Sequence, residues 1–247
     1  MNFKTPGIVL RSYKYGESSR IIVFLTPVIG KLKASVKGVD RQKSKFSKPQ
    51  LFNVYSLDVQ AKRDREIDII VSLELKESFL PILKSVQGYA AASYIVELTS
   101  EITGFSSERE PLFDEVLSVL KFLSKGSDPL RAVAFYTLKS LYMSGFVGSF
   151  TSCSRCAEVK GRFFIDRSGG MICEKCIKNA GGFSEIGANI ASLIEKVVKS
   201  PLNTELESEY SAEDVKQVAK VARLMLDFTL PKPLKSLDFL SSVLKKK

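Results

Sequence analysis

The spacing of apolar residues changes once along the chain. Up to about residue 80 it is short and strand-like. Gly7 to Tyr13 is rich in β-forming residues and ends at the turn signal Tyr15-Gly16-Glu17-Ser18. Arg20 to Leu25, apolar from Ile21 onward and bounded by Thr26-Pro27, has the length of a buried strand. Gly30 to Gly38 alternates: Leu32, Ala34 and Val36 point one way, and Lys31, Lys33, Ser35 and Lys37 point the other. Leu51 to Gln60 gives a fourth strand. Ile67, Ile69, Val71, Leu73 and Leu75 mark a fifth, with Asp68, Ser72 and Glu74 opposite. Five short strands suit a small closed barrel, because closure removes exposed edges.

After Glu77 the period becomes that of a helix. Helices are expected at 86–102, through Ala90-Ala91-Ala92, and at 112–124, behind Pro111. Asp128-Pro129 reads as an N-cap with proline at the first helical position, ahead of Leu130, Ala134, Leu138 and Leu141 on one face. A further helix is expected at 186–199. Ser211 can cap another, with Asp214 at its third position and a stripe of Val215, Val218, Ala219, Ala222, Met225 and Leu226. Pro231 and Pro233 end it, and a last helix spans Leu234 to Leu244 before Lys245-Lys246-Lys247. The fold class expected is α+β and multidomain: a five-stranded OB-fold barrel over 1–80, then an all-α helical domain over 81–247.

Composition narrows the chemistry. The 247 residues include no histidine and no tryptophan. A Ser-His-Asp triad, a Cys-His pair, an HExxH metalloprotease and a Cys2His2 finger are therefore excluded. No apolar run reaches the roughly 18 residues that a membrane span needs. Met1-Asn2-Phe3-Lys4-Thr5-Pro6 lacks a signal-peptide core, so a cytoplasmic location with no membrane partner is expected.

Charge separates the two halves. Against 37 Lys and Arg stand 27 Asp and Glu, a net +10. Residues 1–80 hold 15 basic and 8 acidic groups. Residues 31–48 hold seven bases (Lys31, Lys33, Lys37, Arg41, Lys43, Lys45, Lys48) and one acid, Asp40. A basic cluster in a folded domain fits a polyanion; the plainer reading is a solvated loop that aids solubility. OB barrels bind single strands through charge and stacked aromatics. The expected phosphate contacts are Lys31, Lys33, Lys37, Arg41, Lys43 and Lys45, with Arg20 beside them. The segment from Lys37 to Phe46 would be a mobile loop, and Tyr13, Tyr15, Phe46 and Phe52 are candidate stacking rings, Phe52 also being a natural core residue.

All four cysteines lie in one pattern, Cys153-x2-Cys156 and Cys173-x2-Cys176. Two CxxC turns at this spacing are a zinc signature. Strands at Arg162–Ile165 and Gly170–Cys173 flank the turn Asp166-Arg167-Ser168-Gly169, a zinc ribbon inserted at about 150–180. Four thiolates leave no open coordination position, so one structural Zn²⁺ is expected; a redox switch or catalytic metal is the alternative. Metal binding would replace a core that so short a segment cannot build. Arg155, Lys160, Arg162, Arg167, Lys175 and Lys178 offset the site's negative charge and could also touch DNA.

Several strings taken in order resemble the bacterial RecO family of recombination mediators over nearly the whole chain. They are Gly7-Ile8-Val9-Leu10, Tyr15-Gly16-Glu17-Ser18-Ser19-Arg20, Leu25-Thr26-Pro27, Gly30-Lys31, Lys37-Gly38 and Lys43-Ser44-Lys45-Phe46. The CxxC pair and Lys232-Pro233-Leu234-Lys235-Ser236-Leu237-Asp238-Phe239-Leu240 complete the set. The resemblance implies the OB barrel, the helical domain and the zinc ribbon. It implies a non-catalytic DNA-repair role: binding single- and double-stranded DNA and annealing complementary strands. With RecR, and in many bacteria RecF, such a protein helps load RecA onto DNA coated by single-stranded-DNA-binding protein, whose C-terminal tail docks on the helical domain. Some relatives lack the cysteines, which fits a structural metal. Asp40 departs from the small or basic residue common there and would weaken phosphate binding locally.

Two other classes compete. A protein-interaction adaptor would dock acidic protein tails on the same basic patch. A nuclease would gather carboxylates around Mg²⁺; Asp64, Glu66 and Asp68 are acids of the right kind, although such spacing on a strand edge more often faces water.

Overall fold

In the computed structural model, strand β1 (Asn2–Tyr15) is long enough to pair with two neighbours, and this closes the barrel. Its first half runs antiparallel to β4 (Val54–Gln60) and its second half antiparallel to β2 (Ser19–Thr26). A register shift between Val9 and Arg11 lets one strand serve both. Strand β3 (Gly30–Val36) pairs with β2 and, in parallel, with β5 (Asp68–Glu77), which returns to β4. The order β1-β2-β3-β5-β4 closes on itself, as an OB fold does. The described residues are 2–61, 67–104, 112–167, 169–177 and 184–244. Met1, Asp64, Glu66, Pro111, Ser168, Lys178 and Lys245, Lys246 and Lys247 lie outside them.

The alternation in β3 holds: Leu32, Ala34 and Val36 fill the barrel interior with Val9, Phe24, Leu57 and Val59. Each of these side chains larger than Ala34 contributes about 1.5–3 kcal/mol relative to exposure. The fifth strand differs from expectation. A register shift near Asp58 and Val59 breaks its alternation, so Ile70 and Leu73 turn inward while Val71 and Leu75 face water. The fourth strand begins at Val54 and not at Leu51, because Phe52 takes a left-handed φ of 73°.

Part of the outer face of the barrel is buried as well. Ile8, Leu10, Val23, Leu25, Phe52 and Val54 join one continuous core with the helices. A 3-10 turn at Leu80–Lys84 leads into α1 (Val86–Ile102), capped by Ser85, whose hydroxyl accepts from the Gly88 N–H at 3.1 Å. Then follow α2 (Leu112–Ser124) and α3 (Pro129–Met143), the latter capped by Asp128 through the Leu130 N–H at 2.9 Å. Helix α3 is central, touching α1, α2, α4 (Ala188–Lys199), α5 (Leu202–Glu207) and α6 (Ala212–Thr229). Ser211 caps α6 as expected, and α7 (Lys235–Leu244) lies on α1. Glu97 of α1 accepts from the Lys235 and Ser236 N–H groups at the start of α7. Two features were not expected: α5, and strand β8 (Glu185–Ile186), whose pairing with Phe163 delays the start of α4.

A buried lysine joins three of these helices and the chain that leads into α5. Lys139 of α3 donates to the Val198 and Ser200 carbonyls at 3.0 and 2.7 Å, at the end of α4. Its ammonium lies 3.7 Å from Glu115 of α2, which accepts from the Leu202 N–H at the start of α5. Cation and anion thus sit at the negative and positive ends of their helices.

Candidate nucleic-acid interface and metal centre

The basic segment leaves β3 through Gly38, whose φ of 68° needs glycine's freedom. Hydrogen bonds then fasten it to the β1–β2 turn. The Asp40 N–H donates to the Ser18 carbonyl at 2.9 Å, the Gly38 N–H to the Ser19 hydroxyl at 3.2 Å, and the Arg41 Nε to the Ser18 hydroxyl at 3.2 Å. Val39 and Phe46 insert into the barrel interior. The segment is therefore anchored at several points, where the sequence alone suggested a mobile loop. Lys37, Arg41, Lys43 and Lys45 remain exposed along it. Lys45 lies 4.7 Å from the Phe46 ring centre, with its ammonium 3.5 Å from the Val71 carbonyl.

Two of the expected phosphate contacts are engaged within the protein. Lys31 is only 8% exposed, and its ammonium donates to the Ser100 carbonyl in the last turn of α1 at 2.6 Å. It does lie on the outer face of β3, but the helical body covers that end of the face. Arg20 is held by Asp40, its Nε 2.9 Å from both carboxylate oxygens. Lys48 approaches the same carboxylate at 3.6 Å. The Arg20 hydrogen bond holds the Asp40 carboxyl below its ordinary value, with the charges of Arg20 and Lys48 adding to it. Asp40 is thus a fastening for the loop. Lys33 is half-buried at the rim.

The aromatic candidates divide. Phe46 and Phe52 are core residues and are withdrawn as stacking rings. Tyr13 and Tyr15 stand in solvent, 48% and 54% exposed. Of the nuclease acids, Asp68 is a half-buried member of β5 paired across to Ala34, and Asp64 and Glu66 lie outside the described residues.

The four cysteine sulfurs converge from two turns and all lie within 4.8 Å of one another, Cys156 and Cys173 at 3.6 Å. A tetrahedral ion with 2.3 Å bonds to sulfur needs an edge of about 3.8 Å, so the donor set fits a metal ion of that kind. The Arg155 N–H points at the Cys153 sulfur at 3.4 Å. Burial opposes ionisation of Cys153, but backbone N–H groups of Cys173, Arg155 and Cys156 outweigh it and bring the thiol down to about 6. Hydrogen bonding to Cys156, then burial, pushes Cys176 up to about 12.

Strands β6 (Phe163–Ile165) and β7 (Met171–Cys173) form the expected ribbon, and β8 adds a third strand. Gly169 makes the turn with φ of 88°, and a Cβ there would sit 2.0 Å from the Phe146 carbonyl oxygen. The ribbon is not a free-standing unit: Cys153, Phe163, Ile165, Ile172 and Ile186 belong to the helical core. Its basic residues are mostly occupied. Arg162 binds Glu185 at 2.7 and 2.8 Å, Arg155 donates to the Cys176 carbonyl at 3.1 Å, and Arg167 lies over the Phe228 ring. Lys175 pairs with Glu158 at 3.4 Å, and Lys160 is exposed.

A closed five-stranded barrel with a cationic loop, part of its outer face packed on a helical body that carries a four-cysteine ribbon, defines a modular architecture of the OB type. Comparison with known families bears on the same division of the chain. Residues 1–79 match the model of the Recombination protein O N terminal family, and residues 83–238 match that of the Recombination protein O C terminal family. The DNA repair protein RecO of Dehalococcoides mccartyi strain CBDB1 is 28% identical, covering 98% of this chain and 96% of that protein. The namesake from Caldicellulosiruptor saccharolyticus is 31% identical over 70% of this chain and 71% of its own, and that of Bifidobacterium longum strain DJO10A 27% identical over 97% and 99%. The chain belongs to the RecO family of DNA repair proteins.

Proposed function

We propose that this chain is a non-catalytic recombination mediator that binds single- and double-stranded DNA and anneals complementary strands. Residues 1–80 supply the DNA surface, and residues 81–247 supply the partner surface. The observation that carries the reading is the row of exposed cations, Lys37, Arg41, Lys43 and Lys45, on one anchored segment beside the barrel mouth. Lys33 extends it. Two DNA strands repel each other, and a shared cationic surface screens that repulsion without any group that makes or breaks a bond. The four cysteines hold one structural Zn²⁺, which ties the ribbon to the helical body and leaves no coordination position for a substrate.

As the family resemblance implies, the partners are RecR, RecF where it is used, the tail of single-stranded-DNA-binding protein and, indirectly, RecA. The work is done in the cytoplasm, at the nucleoid during repair. The test is annealing of complementary strands coated beforehand with the cognate coating protein. Annealing faster than the coated strands achieve alone is the expected result. No acceleration, with the protein shown to be folded, would refute the reading.

A further inference from the structure

We propose that Tyr13 and Tyr15 form a stacking platform for two successive unpaired bases and bias the barrel toward single strands over duplex. The inference rests on the DNA-binding reading above and deepens it. Successive rows across the outer face of β1, β2 and β3 show where a ligand has room. The row Ile8, Leu25 and Lys31 is covered by the helical body. The next, Arg11, Val23 and Lys33, is its rim, closed by an ion pair from Arg11 to Glu101 of α1 at 2.6 Å. Beyond the rim come Tyr13, Ile21 and Ser35, then Tyr15 opposite Ser19. The face opens where the two tyrosines stand.

Geometry sets what such a platform can hold. Alternate residues of a strand share a face and lie about 6.8 Å apart. That is about twice the 3.4 Å per-strand spacing of a B-form duplex. Bases on both rings must therefore belong to an extended, unstacked strand. Arg11, held by Glu101 at 2.6 Å, sits two residues before Tyr13 on the same face of β1 and borders the first ring. Charge around the platform suits a polyanion. Lys37 is exposed, and Arg41 is bonded to Ser18 in the adjoining turn. Of the nearby acids, Glu101 and Asp40 are tied to arginines, and Glu17 at the turn is exposed. Rings left half in water beside cations are groups that base stacking would cover.

The chain contains no tryptophan, so Tyr15→Trp introduces a single reporter. Its emission is read while binding is followed separately through the anisotropy of a labelled oligonucleotide. The probes are a thymidine oligomer, a duplex of equal length, and inorganic polyphosphate, which has charge but no bases. Quenching by the thymidine oligomer, with little by duplex or polyphosphate, is expected. Oligomer binding without quenching overturns the platform and leaves the DNA-binding reading standing, whereas no binding at all overturns both. In parallel, Tyr13→Leu with Tyr15→Leu is expected to weaken single-strand binding by about tenfold or more, on the scale of base–aromatic stacking. Duplex affinity and the salt dependence should hold. Equal losses on single strand and duplex would also overturn the proposal.

Discussion

Replacing Lys37 and Arg41 together by alanine separates the exposed cations from the covered one. Both side chains stand in solvent, and neither meets an acid in an ion pair among the described residues. Each phosphate contact on a single strand contributes about −0.7 to the slope of log affinity against log salt. The double variant should therefore have a slope shallower by about 1.4, and between 50 and 200 mM salt it should lose about sevenfold less affinity than the parent. The assay is fluorescence anisotropy of a short oligonucleotide across that range. Lys31→Met is the control. Its ammonium serves the Ser100 carbonyl, so the slope should not change. Stability should fall by about 1–2 kcal/mol, because a cation leaves the C-terminal end of α1. A slope reduced by Lys31→Met as much as by the loop pair would refute the reasoning, since it would place Lys31 on the DNA.

Three further outcomes follow from other parts of the molecule. Chelating the metal, or Cys173→Ser, should lower the melting temperature of the helical body and not only loosen the ribbon, because Cys153, Ile165 and Ile172 sit in its core; thermal scanning with a metal count of one ion per chain checks this. Lys139→Met leaves Glu115 without its cation and two helix-end carbonyls without a donor, so a loss of about 3 kcal/mol is expected in urea denaturation. Asp40 has a folded-state carboxyl below its ordinary value, so its contribution is complete above that value and is lost as pH falls through the depressed one. The parent should accordingly exceed Asp40→Asn in stability near neutrality, and the gap should close in acid, below about pH 4.

Much of this was legible in the residues because the signals were local. Asp128-Pro129 and Ser211 announce helix starts by chemistry that acts within three residues. The two CxxC turns bring four sulfurs together by spacing alone. Period two told which side of β3 Lys31 lies on, but not what covers that side. A signal was present: the run Ile22-Val23-Phe24-Leu25 is apolar on both faces, so its outer face had to be covered, and Lys31 pairs with Leu25. The register shift in β5 and the left-handed Phe52 depend on how neighbouring strands fit, which no single strand's pattern states. Lys139 and Glu115 lay in helical stripes with no local partner of opposite charge, and only the meeting of α2, α3, α4 and α5 brings them together.

Lysine-acylation footprinting of the full chain, with and without saturating oligonucleotide, tests most directly where the polynucleotide lies. Protection should appear at Lys33, Lys37, Lys43 and Lys45, while Lys121, Lys125 and Lys216 of the helical body stay reactive. Protection confined to the helical lysines, with those of the barrel unchanged, would contradict the account.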